Sequence, residues 1–182
     1  SQDFVTAIER LAKPKNGAQY GQYYNVIKGF QAYGAGKAKT ISGIQTPNKR
    51  TIVFHLTQPT GDFLYRLMLT AAGPMPREVT KCFEGRAGAY GRNIVSSGPY
   101  MFEGSDKVKI SSCSALKPAS GFDGQTRMIL VRNPDYRQST DNTRENHPDR
   151  FEFLVNTNTE DIYDKTKAGE YDDQMATEPA KI

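Results

Sequence analysis

The residues of this chain that could take part in catalysis are two histidines, two cysteines and a few neighbouring carboxylates. A nucleophile needs an oriented base beside it, and neither His55 nor His147 lies in a recognisable motif. The acidic pairs at residues 160–161 and 172–173 are neighbours along the chain. Neighbouring side chains point apart and cannot flank one scissile bond. The sequence therefore predicts a protein that is not an enzyme.

Two other catalytic signatures are incomplete. Residues 34–37, Gly-Ala-Gly-Lys, resemble the end of a phosphate-binding loop. Such a loop also needs a glycine five residues before its Gly-Lys pair and a hydroxyl residue after it, where this chain has Gln31 and Ala38. The serines before Gly98 lack the Gly-x-Ser-x-Gly elbow of serine hydrolases. Neither ATP binding nor hydrolysis by an activated serine is predicted.

Cys82 and Cys113 are the only cysteines of the chain. A four-ligand zinc site would need both of them and both histidines, and no pair has the required spacing, so no metal is predicted. In an exported protein the two cysteines could form a disulfide. That bond would close a loop of about 30 residues and stabilise the fold by about 3 kcal/mol. Two separate buried thiols are the alternative, and the residues alone leave both open.

The composition is that of a rather polar globular domain. The chain has 182 residues, 37% of them hydrophobic and 24% charged, with a net charge of +4. This length suffices for one domain with a core. The basic residues are spread along the chain, so no nucleic-acid partner is predicted. No apolar run approaches the roughly 20 residues that cross a bilayer.

Hydrophobic periodicity predicts helices and strands in alternation, a mixed α+β fold. Helices are predicted at residues 3–12, 21–33 and 63–72, and a last helix follows a capping box at residues 157–160 and ends at Gly169. A hairpin is predicted over residues 40–59, and further strands at residues 100–102, 128–131 and 150–156. Glycine-rich loops are expected at residues 81–92 and 105–125. We treat residues 1–182 as a single domain.

The predicted helix at residues 63–72 has a wide apolar stripe, formed by Phe63, Leu64, Leu67, Met68, Ala71 and Ala72. A helix that is apolar over much of its circumference is expected to lie in a core. Gly73 and Pro74 end it.

Three blocks of sequence resemble one known family. The first comprises the strand at residues 51–57, the helix after Asp62 and the proline-rich turn after it. The second is Ser-Gly-Pro-Tyr at residues 97–100, and the third is Arg-Asn-Pro-Asp-Tyr at residues 132–136. In this order the blocks resemble the family 5 extracellular solute-binding proteins, the peptide, dipeptide and nickel receptors of ABC importers. Residues 168–172, Ala-Gly-Glu-Tyr-Asp, fit the same family.

The resemblance implies a fold and a function. The fold is an α/β (mixed α+β) architecture, a partial first lobe of a periplasmic-binding-protein type 2-like fold, with residues 173–182 starting the crossover to a second lobe. The function is that of the substrate-binding component of an ABC importer. It captures peptides outside the cytoplasmic membrane and delivers them to a membrane permease, with nickel as a poor second ligand. No cofactor is implied. The implied location is periplasmic or extracellular, with a lipid anchor as one way of attachment.

The resemblance also bears on individual residues. It favours the disulfide between Cys82 and Cys113, which would pin residues 105–125, a connection longer than is usual in the family. Tyr20, Tyr23, Tyr24 and Tyr100 are aromatic residues that could line a ligand cleft, and packing in the core or at a rim is the alternative for each. No motif matches a ligand contact of the family. A cell-surface interaction domain with the same fold and no transport role remains the alternative function.

Overall fold

Short helices and strands alternate along residues 1–175, the part of the chain that the structure, a computed structural model, describes. The α-helices are α1 (Gln2–Ala12), α2 (Phe30–Gly34), α3 (Phe63–Leu67), α4 (Arg77–Thr80) and α5 (Thr159–Lys167). The strands are β1 (Ile44–Asn48), β2 (Thr51–Phe54), β3 (Tyr100–Phe102), β4 (Arg127–Arg132) and β5 (Arg150–Leu154). The predicted mixture of helix and strand is confirmed. Of the crossover predicted at residues 173–182, residues 176–182 lie outside the described part.

The first core forms where α1 packs against the segments that follow it. Its buried face carries Ala7, Ile8 and Leu11, whose spacing places them on one side of a helix. The other buried members of this core are Ala12, Tyr24, Ile27, Phe30, Ile41, Phe63 and Ala72. The helix predicted at residues 3–12 is confirmed.

The helix predicted at residues 21–33 is wrong as a continuous element. A 3₁₀ turn covers Gly21–Tyr24, and the chain is then paired with the hairpin, since the Lys28 amide donates to the carbonyl of His55 at 3.0 Å. The Thr57 amide likewise donates to the carbonyl of Val26 at 2.8 Å. These bonds replace those that a helix would make. Gly29, with φ of 82°, then turns the chain into α2.

The predicted hairpin is present as β1 and β2, which pair antiparallel with Ile44 opposite Phe54. The ladder is irregular between Gln45 and Asn48. Since β1 extends to Asn48, the turn is tighter than the five-residue turn that the sequence suggested.

A second sheet joins two of the three sequence blocks. Its strand order is β3-β4-β5, all antiparallel, with Phe102 opposite Leu130 and Leu130 opposite Phe151. Just after β4, the amide of the buried Asn133 side chain donates to the carbonyls of Gly98 at 2.9 Å and Ser96 at 3.3 Å. The Asn133 side chain therefore links the Ser-Gly-Pro-Tyr and Arg-Asn-Pro-Asp-Tyr blocks.

A small second core is formed by residues that lie, along the chain, between β2 and β3. Val79, Phe83 and Tyr90 are its buried residues. Cys82 and Cys113 are joined in a disulfide with their Cα atoms 5.3 Å apart, so of the two states left open by the sequence, the structure contains the bonded one. The bond connects the long stretch between β3 and β4 to this core.

The last helix, α5, is capped by Asn158, not by Thr157 as the capping-box motif suggested. The Asn158 side-chain oxygen accepts from the amides of Glu160 at 3.1 Å and Asp161 at 3.2 Å. Gly169, with φ of 76°, follows the helix as predicted. No residue of α5 is buried.

Candidate functional site

Tyr20 and Tyr23 are the most exposed of the four tyrosines singled out from the sequence. They lie at and within the 3₁₀ turn Gly21–Tyr24, with exposed fractions of 45% and 42%. Their ring centroids are 6.0 Å apart and the rings are tilted by 35°. Tyr20 has φ of 69°, a left-handed conformation that orients the start of the turn. Both rings are available to a ligand.

Tyr24 belongs to the first core and is withdrawn as a ligand contact. Its side chain is fully buried, and its hydroxyl donates to the carbonyl of Arg66 at 2.7 Å. Burial raises the pKa of this hydroxyl, so it stays protonated and able to donate. Tyr24 therefore packs the 3₁₀ turn Gly21–Tyr24, which we call the tyrosine turn, against α3.

Arg66 holds α3 beside the tyrosine turn. Its guanidinium donates to the main-chain carbonyl of Tyr23 at 2.8 Å. Two further nitrogens donate to the carboxylate of Asp62, at 3.0 and 3.1 Å. The bond from Arg66 lowers the pKa of Asp62. The pair is therefore ionised, and each charge is compensated by the other.

The outer side of α3 is apolar and uncovered. Leu64, Tyr65 and Met68 have exposed fractions of 74%, 73% and 78%. The core position predicted for this helix is wrong for these residues, because α3 ends at Leu67 and only its inner side, with Phe63, reaches the core. We call Leu64 and Tyr65 of α3, together with Met68 just after its end, the outer α3 face.

Apolar periodicity alone predicts a core position for the outer α3 face. The sequence signal for exposure is the width of the apolar stripe. A surface helix of a complete domain usually carries polar residues on its outer side, where this helix has Leu64, Tyr65 and Met68. Large exposed apolar patches mark binding surfaces or interfaces in soluble proteins, whereas single exposed apolar side chains are common.

Tyr100 lies elsewhere, on β3. Its ring meets the ring of Phe151 edge to face at 4.8 Å, and its hydroxyl donates to the carbonyl of Pro148 at 2.7 Å. Both contacts connect Tyr100 to its own sheet and to the loop that leads into β5, and neither involves the tyrosine turn. Its role as a ligand contact stays a prediction.

An open depression of about 780 Å³ lies beside the third sequence block, lined by Ser97, Asp135, Tyr136, Arg137, Thr140, Asp141, Asn142, Thr143 and Arg144. Its polar groups largely satisfy one another. The Asp141 carboxylate accepts from the Tyr136 hydroxyl at 2.7 Å and from the Arg144 guanidinium at 2.6 Å. The bond from Tyr136, with those from Thr143 and Arg144, holds the pKa of Asp141 well below its usual range. These bonds brace the loop itself.

Among the described residues, the two cysteines are joined in the disulfide, and the histidines and acidic pairs form no common cluster. The main-chain groups of His55 pair with Lys28 and Gly43, and the exposed His147 ring lies 2.6 Å from the carboxylate of Glu145. Within residues 1–175, no group of three or more His, Cys, Asp or Glu side chains is placed to hold a metal ion. In the same range, every helix is too short or too polar to span a membrane.

Solved structures share this fold. A protein described as clavulanic acid biosynthesis oligopeptide binding protein 2 is 25% identical, with a TM-score of 0.68 over 94% of this chain and 28% of that one. OppA of Burkholderia pseudomallei is 24% identical, with a TM-score of 0.64 over 93% and 29%. OppA of Haemophilus influenzae, in complex with RPPGFSPFR, is 22% identical, with a TM-score of 0.65 over 93% and 29%. The chain spans less than a third of each.

These neighbours define the class of protein: the fold is that of type 2 periplasmic binding proteins, of which this chain covers a part. The sequence profile of the bacterial extracellular solute-binding proteins, family 5 Middle, matches residues 1–182. The chain therefore belongs to the bacterial extracellular solute-binding proteins of family 5. The family and the fold class expected from the three blocks are confirmed. A search of curated proteins returned no match to the chain.

Proposed function

We propose that the protein is the substrate-binding component of an ABC importer and captures peptides outside the cytoplasmic membrane. The observation that carries this proposal is the family match over residues 1–182. Two neighbours with the same fold are described as oligopeptide-binding proteins. Two others were solved with a bound peptide. The chain would form part of the first of two lobes, with residues 173–182 leading toward the second.

The mechanism is capture, not catalysis. Two lobes close around the ligand by hinge bending, and the closed form is recognised by a membrane permease. A peptide in an extended conformation offers its main-chain groups to strands of the protein, while pockets receive its side chains. The energy for transport comes from a separate ATPase. Tyr20, Tyr23 and Tyr100 are the proposed contacts of this lobe.

The proposed location is the periplasm or the cell exterior, and a lipid anchor would keep the protein close to its permease. The disulfide between Cys82 and Cys113 supports this location, because such bonds persist in oxidising compartments.

The experiment is to purify the full natural protein that carries this chain under native conditions and to identify co-purifying small molecules by mass spectrometry. We expect a population of short peptides, and fewer or none on the separate 182-residue chain, which is the control. An empty full protein that also shows no thermal shift with a peptide library would contradict the proposal.

A further inference from the structure

We propose that residues 28–43, which we call the lysine loop, are a contact of the protein with an anionic phospholipid surface. This inference rests on the proposed function, which places the protein on the outer side of the cytoplasmic membrane. The basic residues are spread along the chain, but the acidic ones are not: residues 10–61 contain no Asp or Glu and eight basic residues. These are Arg10, Lys13, Lys15, Lys28, Lys37, Lys39, Lys49 and Arg50.

The acidic residues that flank this acid-free stretch are already paired with arginines. Before it, the Glu9 carboxylate lies 3.8 Å from the guanidinium of Arg77. After it, the Asp62 carboxylate lies 3.0 Å from the guanidinium of Arg66. Neither carboxylate therefore has its full charge left to offset the lysines between them.

The lysine loop is closed by main-chain hydrogen bonds. The amide of Gly43 donates to the carbonyl of Lys28 at 2.7 Å, and both residues also pair with main-chain groups of His55, at 2.8 and 3.0 Å. The buried side chains of Phe30 and Ile41 fix the loop to the first core. The loop is therefore a compact part of the surface whose two ends meet.

Three exposed lysines, Lys28, Lys37 and Lys39, give this loop its charge. Lys39 is four residues from Gly43, so at most about 14 Å of chain separates it from the closure at Lys28. Lys37 is two residues further along. In the described part of the chain, none of the three forms an ion pair. Their charges are thus concentrated and uncompensated.

A membrane surface suits these lysines better than a covering of further polypeptide does. Lysine side chains are rarely buried without an acidic partner, and they are depleted at protein interfaces. An anionic lipid surface attracts lysines from a distance and does not require their burial. This attraction would add to that of a lipid anchor, since stable attachment to a bilayer usually takes two signals.

The Gly-Ala-Gly-Lys segment at residues 34–37 does not make the lysine loop a phosphate-binding loop. The amides of Ala35, Gly36 and Lys37 donate to carbonyls of α2 at 2.9, 3.0 and 2.9 Å. These amides are therefore not available to hold a phosphate group. The loop acts through the charge of its lysines, and its binding to a membrane should weaken as salt rises.

Vesicle sedimentation tests the inference on the full natural protein in unlipidated form, so that no acyl chain carries it to the bilayer. We expect about a hundredfold stronger binding to vesicles with phosphatidylglycerol than to vesicles of phosphatidylcholine alone, because each of three lysines near an anionic surface contributes about a factor of five. Raising the salt from about 0.01 M to about 0.3 M should remove most of this difference, because it shortens the screening length.

A pair of double variants locates the contact. Lys37→Glu with Lys39→Glu should weaken binding to the anionic vesicles at least about 25-fold, a factor of five for each lysine. Lys107→Glu with Lys109→Glu is the matched control, because it changes the same charge on two exposed lysines with the same spacing outside the acid-free stretch. The control should change binding by about twofold at most. Both variants should melt as the parent does, since all four side chains are exposed.

Four outcomes would overturn the inference and leave peptide capture standing. They are equal binding to the two kinds of vesicle, an equal effect of the two double variants, displacement from vesicles by soluble glycerol phosphate, and binding by the separate 182-residue chain but not by the full protein. Displacement would show a discrete phosphate site, and the last outcome would show that further polypeptide covers the lysines. Peptide capture is measured separately, by the co-purifying peptides, so its failure is distinguishable from the failure of membrane contact.

Discussion

Asn133 explains at the residue scale why two separate sequence blocks occur together. Its main-chain amide donates to the carbonyl of Pro99 at 2.8 Å, and its side chain donates to the carbonyls of Ser96 and Gly98. The turn that precedes β3 thus has its polar groups satisfied by the end of β4. The Ser-Gly-Pro-Tyr and Arg-Asn-Pro-Asp-Tyr blocks therefore form a structural junction.

Replacing Asn133 with alanine should therefore destabilise the protein by about 1–3 kcal/mol, because two partly buried carbonyls lose their donor. Urea unfolding of parent and variant measures the change. Asn142→Ala, at an exposed position of the neighbouring loop, is the control and should be neutral. Equal unfolding midpoints for Asn133→Ala and the parent would contradict the role given to this side chain.

A pH dependence follows from Asp141. Its pKa is lowered in the folded state, so the carboxylate stabilises the fold fully above the unfolded-state value of 3.8 and loses that contribution as pH falls below it. We expect Asp141→Asn to lower the urea midpoint at pH 7 and to lower it less at pH 3. A difference that is the same at both pH values would show that the charge of Asp141 is unimportant.

At the element scale, sequence patterns succeeded where one force decides the structure. The helix at residues 3–12 was predictable because its apolar face packs on one side only, and the strands were predictable from alternation. The helix at residues 21–33 was not, because hydrogen bonds from Lys28 and to Val26 join it to a hairpin distant in sequence. The outer face of α3 was misassigned because periodicity reports apolar character and not what covers it.

Gly121 shows how closely residues 105–125, the long connection between β3 and β4, approach the second sheet. Its amide donates to the carbonyl of Glu103 at 2.8 Å and its carbonyl accepts from the amide of Ile129 at 2.6 Å. An added Cβ atom would lie 2.6 Å from the nitrogen of Glu103 and 2.7 Å from the oxygen of Ile129. Both are main-chain atoms, so a side chain cannot be accommodated by a change of rotamer.

Gly121→Ala should therefore separate the connection from β3 and β4 and lower the melting temperature by several degrees, a loss of about 1–3 kcal/mol as for other overpacked sites. Gly98→Ala is the matched control. A Cβ atom at Gly98 would meet its nearest neighbour at 3.7 Å, an ordinary contact, so the glycine in the Ser-Gly-Pro-Tyr block is not required by space. Equal melting of the two variants would contradict this packing.

At the scale of the whole molecule, the chain exposes more surface than its mass predicts. Its accessible surface is 12,639 Å² for 20.3 kDa, whereas a compact monomer of that mass exposes about 8,800 Å². The surplus is comparable to the area of a permanent interface. The solved neighbours are more than three times the length of the part they share with this chain, and we expect further polypeptide of that kind to cover the surplus.

Hydrogen exchange can locate the uncovered part. In the 182-residue chain, the amides of α5 should exchange at least about tenfold faster than the amides of α1. The reason is that α5 buries no residue, whereas α1 buries six. In the full natural protein the α5 amides should gain protection. Equal rates for α5 in the two proteins would mean that nothing further packs on this helix.

The disulfide has a consequence for proteolysis of the chain. Cys82 and Cys113 bracket exposed positions such as Arg92, Lys107 and Lys109, at which trypsin-like enzymes cleave. A chain cut at any of these bonds remains one covalent molecule, because the disulfide still ties both fragments to each other. Cleavage between Cys82 and Cys113 would therefore leave a single band on a non-reducing gel, and the two fragments would separate only after reduction.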